Sequence, residues 1–137
     1  METRDPKEEY EQRWVFQWAR MNYGKWPELK LLFHIPNGGY RLKSEAARMK
    51  GYGVKAGIPD LMLPAARGKY HGLWIEMKKA RGGRLTPAQR EMQDGIREQG
   101  YCVVTCHGWM AAVNVIERYL KGAEIPETEV DKGEQVF

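Results

Sequence analysis

The run Leu73-Trp74-Ile75-Glu76-Met77-Lys78 constrains the fold more than any other stretch of this chain. Side chains alternate across a strand, so Leu73, Ile75 and Met77 form one apolar face while Trp74, Glu76 and Lys78 share the other. An apolar face of that width needs a core to pack against. The strand therefore belongs in a sheet covered by helices, with an acid and a lysine held close together on its second face.

The rest of the chain supplies those partners. Trp14, Val15, Trp18 and Met21 recur at helical spacing and predict a helix over 7–21. Leu31–Ile35 reads as a short apolar strand, ended by Pro36 and the Gly38-Gly39 turn. Ser44 suits the N-cap of a helix over 45–50, which Gly51 and Gly53 close. Ile58–Leu63 and Tyr70–Lys78 are the next two strands, joined through a turn at 66–69.

Thr86 as N-cap and Pro87 at the first helical position mark a helix whose buried stripe is Met92 and Ile96 and whose end is Gly100. Tyr101–Cys106 follows as a strand, and Trp109–Lys121 as a helix with Val113, Ile116 and Leu120 on one face. The order α-β-α-β-β-α-β-α predicts an α/β fold, a mixed central sheet flanked by helices. Most of the five Trp are expected in the core.

A length of 137 residues suits one domain, here a folded body over 1–121 and a loose acidic tail over 122–137. No run nears the roughly 18 apolar residues of a membrane span, and the charged start METRDPKEEYEQ is unlike a signal peptide. A cytoplasmic protein without membrane contact is the expectation. Cys102 and Cys106 sit four residues apart in one strand, about 13 Å, too far for a disulfide. There is no CxxC motif, and His107 beside Cys106 is too little for structural zinc. His34, in an apolar strand, reads as a structural histidine rather than a ligand.

The tail holds Glu124, Glu127, Glu129, Asp131 and Glu134 against one Lys, so the body carries +8 of a net charge of +4. A basic body suits a polyanionic partner.

Asp60 follows Pro59 in the preceding strand. Pairing of the two strands would let Asp60 and Glu76 converge on one cation. Mg²⁺ is commonly held by one or two carboxylates, with waters and phosphate oxygens completing its shell. Such an ion polarises a scissile phosphate and acidifies a water. Lys78 would orient that water and balance developing charge, and the Met77 carbonyl offers a further oxygen. The ordinary alternative is a solvated Glu-x-Lys pair on an exposed strand.

Five runs in order carry a family resemblance: Ile35-Pro36-Asn37-Gly38-Gly39; Gly53 to Leu61 with Pro59-Asp60; Gly72 to Lys78 with Glu76-Met77-Lys78; Leu85-Thr86-Pro87-Ala88-Gln89; and Gly100-Tyr101-Cys102-Val103-Val104. Together they resemble the VRR-NUC (virus-type replication-repair nuclease) family, over roughly residues 8–121. The resemblance implies a restriction-endonuclease-like PD-(D/E)XK fold and Mg²⁺- or Mn²⁺-dependent cleavage of DNA. It implies metal binding by Asp60 and Glu76, with Lys78 and Gln89 as further catalytic residues and an acid of the first helix, Glu8 or Glu11, completing the site. Stand-alone members are similar to homodimers acting on branched DNA such as four-way junctions. The alternative is a DNA-binding module of the same fold that does not cut, or cuts only with a partner.

Two of these residues have competing explanations. Thr86-x-x-Gln89 is also a capping box, in which Gln89 stabilises a helix start. Glu8 and Glu11 also suit the N-terminal end of a helix macrodipole. For DNA contact the candidates are Asn37 and the basic residues Arg41, Lys43 and Lys55, with Lys79, Arg81 and Arg84 flanking the catalytic strand. Their phosphate contacts carry affinity but no sequence information. Structure-selective binding is therefore expected.

Overall fold

The computed structural model describes residues 6–36, 43–125 and 129–130, with the side chains of 6–9, 43–44 and 129–130 left out. Helix α1 spans Pro6–Met21, and a short 3-10 helix, Pro27–Leu31, leads into strand β1, Phe33–His34. Helix α2 is Lys43–Gly51. Strands β2, Leu61–Leu63, and β3, Leu73–Lys78, are followed by helix α3, Pro87–Glu98. Strand β4, Cys102–His107, helix α4, Trp109–Leu120, and strand β5, Glu129–Val130, complete the order.

The sheet runs β1-β2-β3-β4-β5, with antiparallel pairing from β1 through β3 and parallel pairing from β3 through β5. It is a mixed sheet, as the element order predicts. A parallel step needs a crossover, and α3 supplies it between β3 and β4.

Alternation sorts the two central strands as expected. Leu73, Ile75 and Met77 of β3 and Cys102, Val104 and Cys106 of β4 join one core with Val15 and Ala19 of α1 and Ala112, Val115 and Ile116 of α4. Helix α3 covers the opposite face. There the Gln93 amide donates to the Thr105 hydroxyl at 3.0 Å, and Arg97 donates to the carbonyl of Val103 at 3.0 Å.

Several expectations change on contact with the structure. The stretch read as a strand at Leu31–Ile35 is a strand only at Phe33–His34, because Pro27 starts a 3-10 turn that runs through Leu31. Helix α3 buries Gln93 rather than Met92 and Ile96, which are half-exposed. Trp14 and Met21 face solvent, and α1 buries Val15 and Ala19 instead. No Trp is fully buried; Trp18, Trp26, Trp74 and Trp109 are half-exposed, as suits large rings with a polar edge. On α4, Val115 is buried and Val113 half-exposed. The segment read as a loose tail contributes Ile125 to the core and β5 to the sheet.

Both cysteines are buried free thiols. Burial, then the neighbouring Cys102, pushes the Cys106 thiol far above its ordinary range. Among the described residues no helix is long and apolar enough to cross a membrane.

Candidate active site

The site forms where β2 and β3 part. Leu61 pairs with Ile75, and continuing that antiparallel register by one residue sets Asp60 across from Glu76. The backbone ladder gives way there. Asp60 donates its amide to the Ile75 carbonyl at 3.0 Å, and its own carbonyl accepts from Ile35 at 2.8 Å. The carboxylate oxygen Oδ2 accepts the Met77 amide at 2.8 Å. Asp60 thus grips β3 on both sides of Glu76, replacing a missing rung of the sheet with its side chain.

Both carboxylates are only 4% exposed. They line one cleft of about 590 Å³, together with Gln89, Lys50, Lys55 and Gly57. Two carboxylates buried side by side repel and lose hydration, an arrangement that cations must offset. Lys50 and Lys55 bring positive charge to the cleft wall.

Gln89 caps a helix and also reaches Glu76. Its backbone amide donates to the Thr86 hydroxyl at 3.1 Å, and its Oε1 accepts the Thr86 amide at 2.9 Å, a complete capping box. Its Nε2 remains, and donates to Oε2 of Glu76 at 3.2 Å. An amide carries an acceptor and a donor at once, so one side chain fixes the helix start and orients the carboxylate.

Gly57 makes this approach feasible. Its φ is +86°, a region that disfavours other residues. A Cβ there would lie 2.5 Å from the Ala88 carbonyl oxygen and 3.0 Å from the Gln89 amide nitrogen. The loop that carries Asp60 therefore meets the start of α3 backbone to backbone. The sequence shows a glycine in a loop, and nothing in it says which backbone will come close.

Lys78 lies on the Glu76 side of β3, with its stem beside Gly83, at the end of the strand and outside the cleft lining. Met77 turns its side chain into the opposite core. Across from Lys78 on β4 is His107, buried, whose Nδ1 donates to the Lys79 carbonyl at 2.9 Å and so steadies the backbone after β3. His107 carries no such role in the sequence reading, because the partner is a backbone atom 28 residues away.

Glu11 is not brought to the cleft. Its Oε1 accepts the Trp109 amide at 2.8 Å, at the N-terminus of α4, where Gly108 offers no side-chain cap. That contact satisfies an orphan amide and sets a negative charge at the positive end of a helix dipole. The Glu8 side chain lies outside the described residues, as do Asn37, Arg41 and the side chain of Lys43. Lys55, Lys79, Arg81 and Arg84 are exposed. His34 is half-buried in β1, and among the described residues its Nδ1 has no hydrogen-bond partner.

The donor set tests what ion would fit. Among the described residues no group of three or more His, Cys, Asp or Glu gathers, so a cage closed by protein ligands is absent there. Two oxygen-donating carboxylates in an open cleft match a hard divalent cation completed by water and phosphate. They do not match structural zinc.

Comparison with known proteins agrees with this fold. The family model of the VRR-NUC domain matches residues 3–110. A solved structure named "VRR_NUC domain protein" is similar at 34% identity and a TM-score of 0.75, covering 97% of this chain and 99% of that one. The curated proteins offer no match. The chain belongs to the VRR-NUC family, and its fold is of nuclease type.

Proposed function

We propose that this protein is a metal-dependent endonuclease that hydrolyses phosphodiester bonds of DNA, with preference for branched substrates and as a homodimer. The supporting observation is the pair of buried carboxylates, Asp60 and Glu76, facing one cleft that Lys50 and Lys55 also line, with Gln89 fixed on Glu76. Asp60 and Glu76 would hold Mg²⁺ or Mn²⁺, with the Met77 carbonyl as a further oxygen. When bound, the ion polarises the scissile phosphate and makes a nearby water more acidic.

The chain's own residues do the rest. Asp60 is pinned by the Met77 amide and Glu76 by the Gln89 amide, so both ligands are oriented before any substrate arrives. Lys78, next but one to Glu76 on the same strand face, supplies positive charge where the phosphate gains negative charge in the transition state. Lys55 on the cleft wall, with Lys79, Arg81 and Arg84 beside the strand, would hold the DNA backbone by charge.

The test is cleavage of a four-way junction, a flap and a plain duplex, with Mg²⁺ or with chelator. Metal-dependent cutting that favours the branched substrates and is lost in Asp60→Ala supports the reading. Cutting that survives chelator defeats the mechanism. Binding of all three without cleavage would favour a non-cutting DNA-binding module.

A further inference from the structure

Next to the catalytic cleft lies a second one, of about 450 Å³, between α3 and the sheet. Lys55 and Ala56 belong to both, so the two adjoin. Its walls include the rings of Trp74 and Tyr101, set edge to face at 6.2 Å, and the apolar Met92 and Ile96. Trp74 is two residues before Glu76 on the same strand face, about 7 Å along β3. The size is that of a small-molecule site, and the lining is mostly aromatic and apolar, with Lys55 at the shared border and Glu91 and Gln99 as its other polar side chains.

Gly95 gives the independent clue. It sits inside α3, where glycine is unfavourable relative to alanine because it frees the unfolded backbone. Close packing often explains a helical glycine, but here a Cβ would meet nothing within 4 Å. The helix gains no contact from it. Gly95 lines the cleft, where a methyl group would still fit and a large side chain would fill the space.

We infer that this cleft receives a single unpaired nucleobase of the DNA strand whose phosphate lies over Asp60 and Glu76. Lys55, at the junction of the two clefts, sits where the connecting backbone would pass. Aromatic side chains take up bases of any sequence by stacking. A base inside a duplex must first be unstacked and unpaired to enter, whereas a base at a junction, flap or single-stranded end is already free. The cleft thus converts substrate shape into selectivity. This inference rests on the nuclease reading for the placement of the scissile phosphate.

The experiment uses the whole protein with chelator present, so that binding is read without cleavage. The probe is a single-stranded oligonucleotide bearing 2-aminopurine at successive positions, against a duplex of the same sequence. Wild type should change 2-aminopurine fluorescence at one position, and removing that base to leave an abasic site should weaken binding about tenfold, the loss of one stacked base. Gly95→Leu, which fills the cleft, should lose the fluorescence change and bind single strands about tenfold more weakly while keeping its duplex affinity. Gly95→Ala should behave as wild type.

Unchanged single-strand affinity in Gly95→Leu overturns the inference, as does an abasic oligonucleotide that binds wild type like the intact one. A shift in sedimenting mass caused by Gly95→Leu also overturns it, because the cleft would then hold a second copy of the chain. If wild type shows the base signal but never cuts with Mg²⁺, the nuclease reading fails and the base cleft stands. If it cuts and the base signal is absent, the cleft alone fails.

Discussion

Strands β3 and β4 present two unlike faces. Towards α1 and α4 their side chains are Leu73, Ile75, Met77, Cys102, Val104 and Cys106, sealed in one apolar core. Towards α3 the same strands present Trp74, Glu76, Lys78, Val103, Thr105 and His107. The first face is held by burial, which is indifferent to direction. The second is held by directed hydrogen bonds: Gln93 to Thr105, Arg97 to Val103, Gln89 to Glu76. Stability comes mainly from one side of the sheet, which leaves the other free to keep costly groups in place for chemistry.

The sharpest way to break this comparison is Glu76→Gln. The amide oxygen can still accept from Gln89, but the charge is gone, so cleavage should fall by roughly a thousandfold or more. Its melting temperature should hold or rise, since a buried charge has been removed. A melting loss as large as a core mutant's would show that both faces carry stability.

One residue earlier, Ile75→Ala should do the reverse. Deleting a fully buried side chain from the core should cost about 3 kcal/mol in urea unfolding. Cleavage per folded molecule should stay within a few-fold of wild type.

Gly57→Ala joins the two effects. The added methyl group would meet the Ala88 carbonyl at 2.5 Å, push α3 outward and draw Gln89 off Glu76. We expect turnover to fall about tenfold, or about 1.4 kcal/mol in the barrier, with weaker restoration by Mn²⁺ than in a surface variant. Full activity would mean that Gln89 does not position the carboxylate.

The smallest effect concerns the apolar face. The Tyr119 hydroxyl donates to the Ala65 carbonyl at 2.6 Å, and burial above all raises its pKa from 10.0 to about 12. The unfolded tyrosine ionises first, so its contribution is complete below pH 10 and declines as pH climbs towards 12. Cys106, also raised by burial, adds a decline in the same direction from lower pH. Tyr119→Phe should lower stability by about 1 kcal/mol at neutral pH, and it should show a shallower alkaline loss in urea titrations across this range.

Much of this was legible in the sequence because it depends on short-range patterns. Alternation placed Glu76 and Lys78 on one face of β3, and Thr86-x-x-Gln89 predicted the cap that the structure shows. The rest depends on distant partners. Gln93 is buried because Thr105 and Arg97 satisfy it, and a count of apolar periodicity passes over a buried amide. The strand β5 arises in a stretch rich in acids, since its pairing to Thr105 and Cys106 is set by the neighbouring strand rather than by its own composition. Gly57 and Gly95 are both plain glycines on paper. Only the surroundings distinguish the one that lets two backbones touch from the one that leaves a gap.

The bond from Glu11 to the Trp109 amide joins groups 98 residues apart. Closing so long a loop costs entropy that nearby contacts do not, and non-local pairings of this kind slow folding. Docking of α1 on α4 therefore closes most of the described chain into one loop. The Glu11 carboxylate is the latch across that loop, tying the start of α4 to a helix from the other end of the domain.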